Sequence, residues 1–508
     1  MTMTTPRKDH SATKPKAPKA RQPVVPSLSP AKFAEVHGSK IAVPREKSAQ
    51  RNTGEERKKG RRAQDREAGR LSGQDNKTEK KNWPASPVPG STGLGAFGAR
   101  ITRRAADRLR NGHLWVYASD VESLETGAAS NDDGVPALIP VADSRGLLLG
   151  TALYSPTSQI ALRMVAREAI GETEWLKLLA ERLTRAIERR IPLLKAIDAK
   201  SDSFRLCFSE ADELPGLVVD KYAELVIVQL LARGLDSAAV RGAIVQAVEK
   251  NIEPAAIWER PDPRIRELEG LAAPGLEPLW AADPANPVSS AQFKLNGLLF
   301  HYDVNAGQKT GAFLDQHANY KAAEQYASLL APGGRALDVC TYQGGFALHL
   351  ARVSKNVTGI DTSHSSLEVA ERNLEANRPQ ISGQVDWVEG DAFQILRDWS
   401  DAGEQFDTVV LDPPAFAKTK RAVEGALRGY KELNLRALKM LRPGGLLVTC
   451  SCSHHVSWAD LEGAVASAAA DAGRRVRLHE RCGAAPDHPV VLNLPETEYL
   501  KCLVLEVE

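Results

Sequence analysis

Two positions in the last quarter of the chain have side chains and surroundings suited to chemistry. Asp412 ends an apolar run and is followed by Pro413 and Pro414, and Cys452 lies near the end of the apolar run 446–453. Because prolines fix φ and lack an amide donor, Asp412 is expected to be held rigidly at the end of a strand. A buried cysteine is usually an inert thiol, but a position at the carboxyl edge of a sheet, where α/β folds bind ligands, favours a reactive one.

The strand predicted at 336–339 leads through a turn with two adjacent glycines into a helix. Glycine lets the backbone approach a ligand, and a helix N-terminus presents free amides to a carboxylate or a phosphate. The next predicted strand, 357–360, ends at Asp361, where a carboxylate can accept both ribose hydroxyls of a nucleoside cofactor. NAD and S-adenosylmethionine both satisfy this pattern, and the missing GxGxxG spacing favours S-adenosylmethionine.

A third strand end is predicted at 388–391, where Asp391 is followed by Phe393. The carboxylate could accept the amino group of adenine while the apolar ring covers the base. Asp391 could also serve as the N-cap of the following helix, and the two roles are compatible.

The elements that must position these residues can be outlined from the pattern of apolar residues. From about 300 onwards, strands alternate with helices, which predicts an α/β layer with a mostly parallel sheet. Short apolar runs between 101 and 167 predict a small β-rich module. An amphipathic helix is expected from 172 to about 191, with Pro192 as its stop signal, and a small α+β unit over 200–280.

The N-terminal segment differs in composition from the rest. The whole chain has 66 Lys and Arg against 64 Asp and Glu, but residues 1–90 contain 21 of these bases and only 9 of the acids. Rich in Pro, Ser, Thr, Ala and Gln, the segment 1–95 is predicted to be a disordered basic tail. It could attract a phosphate backbone, lack a dedicated role, or serve as a transit peptide, against which its repeated prolines argue.

The chain has 508 residues, of which 43% are hydrophobic and 26% charged, a composition that excludes collagen, coiled coils and disulfide scaffolds. This length suggests two to four domains. No run reaches the roughly 18 apolar residues of a membrane span, and no secretory signal is recognisable, so a cytoplasmic protein is expected. The six scattered cysteines form no CxxC pair, which predicts neither a disulfide framework nor a metal site.

Several short segments together carry a resemblance to a known family, and they span nearly everything from about residue 98 to 508. They are 109–116, 214–217 with Asp220, 307–311, 314–316, Asp338 with the turn after it, 487–489 and 499–501. In these segments the chain resembles the RlmI-type class I methyltransferases of 23S ribosomal RNA, which make 5-methylcytosine with S-adenosylmethionine. It departs from that family at His317 and Tyr320, where the family usually has arginine.

The resemblance implies a Rossmann-like class I methyltransferase domain at 290–508, preceded by a PUA-like RNA-binding β-barrel at 98–168 and a connector helix with a central α+β domain at 169–285. It implies 23S rRNA or a ribosomal precursor as partner, no membrane and no metal, and suggests a homodimer. Cys452 and Asp412 are the expected catalytic residues. Cofactor-binding roles are expected for Asp338, Thr341, Gly344, Gly345, Phe346, Asp361, Asp391, Phe393, Asp412 and Pro413.

The chemistry of cytosine agrees with this assignment. Its C5 is a poor nucleophile, so a thiolate that adds at C6 is needed to make C5 reactive, and Cys452 fits that role. Three alternatives stay open on the sequence: a base-nitrogen RNA methyltransferase that uses Asp412-Pro413-Pro414 without a thiol, an NAD-dependent oxidoreductase, and a non-catalytic RNA-binding or assembly factor. His454 and His455 could tune the thiol or simply end the strand.

Overall fold

The computed structural model describes residues 98–126, 137–197, 200–305 and 311–508. The basic tail predicted at 1–95 and residues 307–310 of the family-like segment lie outside the described residues. Within the described residues, no helix is long and apolar enough to cross a membrane.

The first unit is a six-stranded sheet with one helix, α1 (Arg103–Arg110). Its strands are β1 (Gly98–Ile101), β2 (Trp115–Tyr117), β3 (Val121–Glu125), β4 (Leu138–Asp143), β5 (Leu148–Tyr154) and β6 (Ile160–Ala166). They are arranged in the order β2-β6-β5-β4-β1-β3. The β-rich prediction is confirmed for β2, β4, β5 and β6, whereas β1, β3 and α1 were not predicted. The helix begins at Thr102, whose side chain accepts a hydrogen bond from the Ala105 amide.

The connector helix, α2 (Glu172–Ile197), is longer than predicted, because Pro192 lies inside it and does not end it. A proline removes one backbone hydrogen bond and crowds the preceding turn, but the four residues that follow, Leu-Leu-Lys-Ala, are good helix formers. The buried face of α2 includes Trp175, Leu179 and Leu183, as the apolar spacing predicts.

The central unit is a five-stranded sheet with two helices, α3 (Ala238–Ile252) and α4 (Pro263–Glu269). Its strands are β7 (Phe204–Phe208), β8 (Leu217–Tyr222), β9 (Leu225–Leu230), β10 (Ala256–Glu259) and β11 (Trp280–Ala281), in the order β11-β10-β9-β8-β7. Both α2 and α3 contribute to the core that covers this sheet. Every residue of β9 is buried, which makes its single polar member, Gln229, unusual.

A two-stranded hairpin, β12 (Ser290–Leu295) and β13 (Leu298–Asp303), precedes the C-terminal sheet and was not predicted. The backbone amides of Leu299 and His301 donate to the side chains of Asn377 and Asn373, at 2.8 Å each. These contacts fasten the hairpin to a helix of the last unit.

The C-terminal unit is a seven-stranded sheet covered by six helices. The strands are β14 (Arg335–Val339), β15 (Asn356–Asp361), β16 (Gln384–Glu389), β17 (Phe406–Leu411), β18 (Leu441–Ser451), β19 (Val476–Cys482) and β20 (Lys501–Val507). The helices are α5 (His317–Leu330), α6 (Gly345–Leu350), α7 (His364–Asn377), α8 (Ala392–Ala402), α9 (Val423–Met440) and α10 (Trp458–Ala472).

The strand order is β16-β15-β14-β17-β18-β20-β19. All neighbours are parallel except β20, which runs antiparallel to both β18 and β19. The predicted α/β layer with a mostly parallel sheet is therefore confirmed. The order reverses between β14 and β17, and such a switch point opens a crevice at the carboxyl ends of the strands.

Two of the predicted strand ends are shifted. The strand β16 ends at Glu389, so Asp391 is not its last residue but the N-cap of α8, where its side chain accepts a hydrogen bond from the Gln394 amide at 3.0 Å. The strand β18 ends at Ser451, so Cys452 is the first residue beyond it. Asp391 leaves the strand because its carboxylate accepts from a free amide in the first turn of α8, and Cys452 follows Ser451, the last residue of β18 that pairs with β20.

Candidate active site

A large cavity of about 810 Å³ opens at the carboxyl edge of the C-terminal sheet. Its walls include residues that follow the ends of four strands: Cys340 after β14, Asp361 and Thr362 at β15, Gly390 after β16, and Asp412 to Ala415 after β17. Cys452, after β18, lies on the same cavity. The parallel arrangement explains this convergence, since neighbouring parallel strands end at the same edge.

The turn after β14 is built with left-handed backbone conformations. Cys340, Tyr342 and Gly344 have φ values of 64°, 52° and 86°. This left-handed backbone conformation is strained for residues other than glycine. A Cβ on Gly345 would lie 2.4 Å from Cζ of Tyr320, so only glycine fits there. Thr341, Gly345 and Phe346 line a small cleft of about 30 Å³ that shares Cys340, Tyr342 and Asp412 with the large cavity.

Asp361 is held by the backbone on both sides. One carboxylate oxygen accepts from the Tyr342 amide and the other from the Ser363 amide, each at 2.9 Å. The carboxylate thus links the end of β15 to the turn after β14 and still lines the cavity. A fixed carboxylate at this place suits the ribose hydroxyls of a nucleoside cofactor, as the sequence predicts.

Asp412 has a polar support that was not predicted. Gln316 donates from Nε2 to Oδ2 of Asp412 at 2.9 Å, and Asn319 donates from Nδ2 to Oε1 of Gln316 at 2.6 Å. Asn319 Nδ2 is also 3.1 Å from the carbonyl oxygen of Gly483, which settles the orientation of its amide. Gln316 and Asn319 are buried. The chain of amides therefore fixes the direction in which the Asp412 carboxylate points.

Cys452 lies across the cavity edge from the proline pair. Its Sγ is 3.9 Å from the carbonyl oxygen of Pro413, and the residue is partly exposed. Lys501, the first residue of β20, is buried nearby and donates to the carbonyls of Ser453 and Tyr499 at 3.3 and 2.9 Å. Burial lowers the pKa of Lys501, and the charges of Glu498 and Cys452 oppose that shift. The Lys501 ammonium is thus hydrogen-bonded to the carbonyl of Ser453, the residue after Cys452.

Four predicted cofactor residues do not line either cavity. They are Asp338, Gly344, Asp391 and Phe393. Asp391 caps α8, and the ring of Phe393 packs against Phe416 with centroids 5.9 Å apart. Of the predicted residues, Thr341, Gly345, Phe346, Asp361, Asp412, Pro413 and Cys452 do line a cavity wall.

Asp338 is fully buried beneath the turn that follows it. Its Oδ2 accepts from the Thr341 hydroxyl at 2.6 Å and from the Ala347 amide at 2.9 Å, whereas its Oδ1 has no hydrogen-bond partner among the described residues. Burial raises the pKa of Asp338 to about 7, against the effect of these two hydrogen bonds, and the nearby Asp361 charge raises it further. Asp338 thus supports the shape of the turn from behind.

The two departures from the family pattern are both buried. His317 lies with Nε2 3.7 Å from Oδ1 of Asp487, and His488 Nδ1 is 3.0 Å from the same oxygen. Although burial acts to raise it, the pKa of Asp487 lies well below its usual range because of the two neighbouring histidines, of which His488 is within hydrogen-bond distance. Tyr320 packs edge-on against Phe346 with centroids 4.7 Å apart. Both residues support the site walls without an arginine charge.

Several cavity residues were not identified from the sequence. Trp115, Arg205 and Phe208 come from the first two sheets, and Phe313, Gln316 and Tyr499 come from the C-terminal part. Trp115, Gln316 and Tyr499 lie in segments that carry the family resemblance, which is the signal that could have assigned them. His454 also lines the cavity, with its ring 5.5 Å from that of Tyr499. The described residues contain no group of three His, Cys, Asp or Glu side chains placed to hold a metal ion.

Comparisons with protein families agree with this architecture. Residues 99–167 match the PUA-like domain family, and residues 237–503 match the S-adenosylmethionine-dependent methyltransferase family. The fold is similar to the solved structure of a putative S-adenosylmethionine-dependent methyltransferase from Streptococcus mutans, with a TM-score of 0.66 at 16% identity, covering 81% of this chain and 100% of that one. A structure of a putative methyltransferase complexed with SAH gives the same values. The predicted order, a PUA-like domain before a class I methyltransferase domain, is confirmed.

Curated relatives are much closer in sequence. Ribosomal RNA large subunit methyltransferase I of Pseudoalteromonas translucida is 36% identical over 403 residues, which cover 78% of this chain and 96% of that protein. The protein of the same name from Aeromonas salmonicida is 36% identical over 394 residues, covering 77% and 95%. With its fold, its cavity at the switch point and these matches, the chain belongs to the ribosomal RNA large subunit methyltransferase I family, whose cofactor is S-adenosylmethionine.

Proposed function

We propose that this protein transfers a methyl group from S-adenosylmethionine to C5 of a cytosine in 23S ribosomal RNA, through a covalent adduct at Cys452. The RNA substrate follows from the names of the relatives. The observation that supports the C5 chemistry is the placement of Cys452 on the same cavity as Asp412, with the Lys501 ammonium bonded to the carbonyl of the next residue, Ser453.

The cavity residues fit S-adenosylmethionine. Asp361, held by two backbone amides, would accept the ribose hydroxyls. The turn after β14, with its left-handed backbone at Cys340, Tyr342 and Gly344, would approach the methionine part. The neighbouring Gly390 and Ala392, rather than the Asp391 side chain, face the cavity where the adenine would lie. When bound, the cofactor supplies an electrophilic methyl group.

The Cys452 thiolate would add to C6 of cytosine, and the electron pair of the C5–C6 double bond would then be available at C5 to form the new bond to the methyl carbon. The bond between that carbon and the cofactor sulfur would break, and S-adenosylhomocysteine would leave. Loss of the C5 proton to a base and departure of the thiolate from C6 would restore the aromatic ring. Asp412, oriented by Gln316, would bind the N3 and N4 edge of cytosine and stabilise the ring during addition. Asp412 or a water molecule would take the C5 proton.

The target base must leave its stack for both faces to be reached, so the substrate is a single-stranded or flipped nucleotide in the cytoplasm. We divide the chain into an RNA-binding PUA-like domain at 98–168, a central domain at 169–285 and the catalytic domain at 290–508. The basic tail at 1–95 would add a contact to flanking phosphates, without sequence preference. The active form would be a homodimer in which each chain has its own cavity, since one chain supplies all of the lining residues described above.

The direct test is methyl transfer from labelled S-adenosylmethionine to 23S rRNA, both naked and in ribosomal particles, followed by digestion to nucleosides. Wild type should yield 5-methylcytosine, and Cys452→Ala should yield none. The matched control is Cys450→Ala, which removes a buried thiol two residues earlier and should retain product.

The products separate the two kinds of RNA methyltransferase. A methylated base that survives Cys452→Ala would replace this proposal with transfer to a base nitrogen oriented by Asp412-Pro413-Pro414. Wild type that methylates no RNA at all would contradict both.

A further inference from the structure

The large cavity extends beyond the C-terminal sheet onto the first two sheets. We call this part the N-terminal wall and define it by the apolar and amide side chains that line the cavity there: Trp115, Phe208, Val218, Gln229, Leu231 and Ile265. The wall is continuous with the cavity that holds Asp412 and Cys452. Any ligand that occupies it would therefore adjoin the reacting base.

Gln229 is the one polar residue of the buried strand β9, and it is 7% exposed. Its Nε2 has no hydrogen-bond partner among the described residues, although its side chain lines the cavity. A buried amide donor without an acceptor destabilises the fold, so a polar group of a ligand is expected to accept a hydrogen bond from it.

The other polar side chains of this region are already engaged. Trp115 donates from Nε1 to Oε1 of Glu210 at 2.9 Å. Arg205 forms two hydrogen bonds with Asp220, at 2.8 and 2.9 Å, and its guanidinium lies 5.4 Å from the ring centroid of Phe208. The Asp262 side chain caps α4. Gln229 differs from these neighbours because its Nε2 has no hydrogen-bond partner among the described residues.

The charge of the region excludes a phosphate as the occupant. Glu210 and Asp262 line the cavity with carboxylates, and the one guanidinium there, Arg205, is neutralised by Asp220. A neutral, flat group that packs between apolar and aromatic side chains and offers hydrogen bonds fits instead. A nucleobase has these properties, and adenine presents a donor and an acceptor that match a glutamine amide.

We propose that the N-terminal wall is a subsite for the base next to the target cytosine, read by the amide of Gln229 with a preference for adenine. This inference rests on the proposed function, because it requires a cytosine in RNA at Cys452. It adds a second nucleotide to the substrate and gives the central domain a direct part in sequence selection.

The test measures binding of cytidine monophosphate and of dinucleoside monophosphates that place each base 5′ or 3′ of cytidine. The protein is the full chain, saturated with S-adenosylhomocysteine. Wild type should bind one adenine-containing dinucleotide about 5- to 150-fold more tightly than the matching uracil one. Gln229→Met, which keeps the side-chain length, should lose that preference and bind cytidine monophosphate and S-adenosylhomocysteine as before.

Gln229→Glu serves as a second variant, because it keeps the shape and removes the donor, and it should lose the preference as well. Gln246→Met, an exposed glutamine on α3, is the matched control and should keep it. Thermal unfolding adds a readout: an amide retained only for structure would make Gln229→Met less stable, whereas a binding amide leaves its stability equal or higher.

Wild type that shows no preference among the dinucleotides, or a Gln229→Met protein that retains it, would overturn the subsite. If wild type still makes 5-methylcytosine in rRNA, only this inference fails. If wild type makes no 5-methylcytosine, the proposed function fails and the subsite with it.

Discussion

Gln316 and Asp412 are joined by a hydrogen bond of 2.9 Å from the amide Nε2 to the carboxylate Oδ2, although 95 residues separate them in the chain. Because Asn319 donates to Oε1 of Gln316, the glutamine amide cannot turn its oxygen toward Asp412 without losing that bond. Gln316 is therefore a positioning residue for the carboxylate that would bind cytosine.

Gln316→Glu should lower kcat for methyl transfer by roughly 10²-fold, because a second carboxylate would face Asp412 and displace it. Steady-state kinetics with both substrates would show this fall with an unchanged KM for S-adenosylmethionine. Gln325→Glu, on the exposed side of α5, should leave kcat at the wild-type value. A Gln316→Glu enzyme with normal kcat would show that Asp412 needs no such support.

RNA in which the target cytosine has fluorine at C5 should become covalently attached to the enzyme. The adduct at C6 and the transferred methyl group would form as usual, but fluorine cannot leave as a proton does, so the thiolate could not depart. Denaturing gel electrophoresis with labelled RNA would detect the complex with wild type and with Cys450→Ala. A complex of equal yield with Cys452→Ala would rule out Cys452 as the nucleophile.

Asp361→Asn should weaken the binding of S-adenosylhomocysteine by roughly 10- to 100-fold, because it removes the charge that would accept the ribose hydroxyls. Calorimetric titration measures this constant without RNA. The control is Asp386→Asn, an exposed aspartate on the neighbouring strand β16, which should bind as wild type does. Equal affinity in Asp361→Asn and wild type would place the ribose elsewhere.

Asp338 should make the free energy of unfolding depend on pH between about 4 and 7. Its pKa is raised to about 7 in the folded protein from an ordinary 3.8. Below pH 4 Asp338 is protonated in both the folded and the unfolded state, and its stabilising contribution to the free energy of unfolding is then at its maximum. Between these values the folded state retains a proton that the unfolded state has lost, so this contribution falls as the pH rises, and it stays low above pH 7.

Asp338→Asn cannot ionise, so its stability relative to wild type should improve with pH by up to about 1.4 kcal/mol per unit and level off above pH 7. Chemical denaturation of both proteins from pH 5 to 8 gives this difference, with Asp386→Asn again as the reference. A difference that does not change with pH would mean that Asp338 is ionised throughout.

The sequence predicted much of the architecture because the spacing of apolar residues marks which faces of helices and strands are buried. The strands β14, β15 and β17 lie close to their predicted positions, and Asp361 and Asp412 are at the edge that strand ends define. The predicted end of α2 at Pro192 was wrong, because the helix continues through the proline to Ile197 and the loss of one backbone hydrogen bond does not end it.

The residues that sequence reasoning assigned share one property: each follows a parallel strand, and chain direction alone brings such positions to one edge of the sheet. Asp391 also follows a parallel strand, and Asp338 is the next-to-last residue of one, yet only the tertiary structure shows that Asp391 caps a helix and Asp338 is buried under a turn. Trp115, Gln229 and Gln316 reach the cavity from elements far away in the chain. Their contribution depends on how three sheets pack together, and local sequence patterns carry no information about contacts between such distant segments.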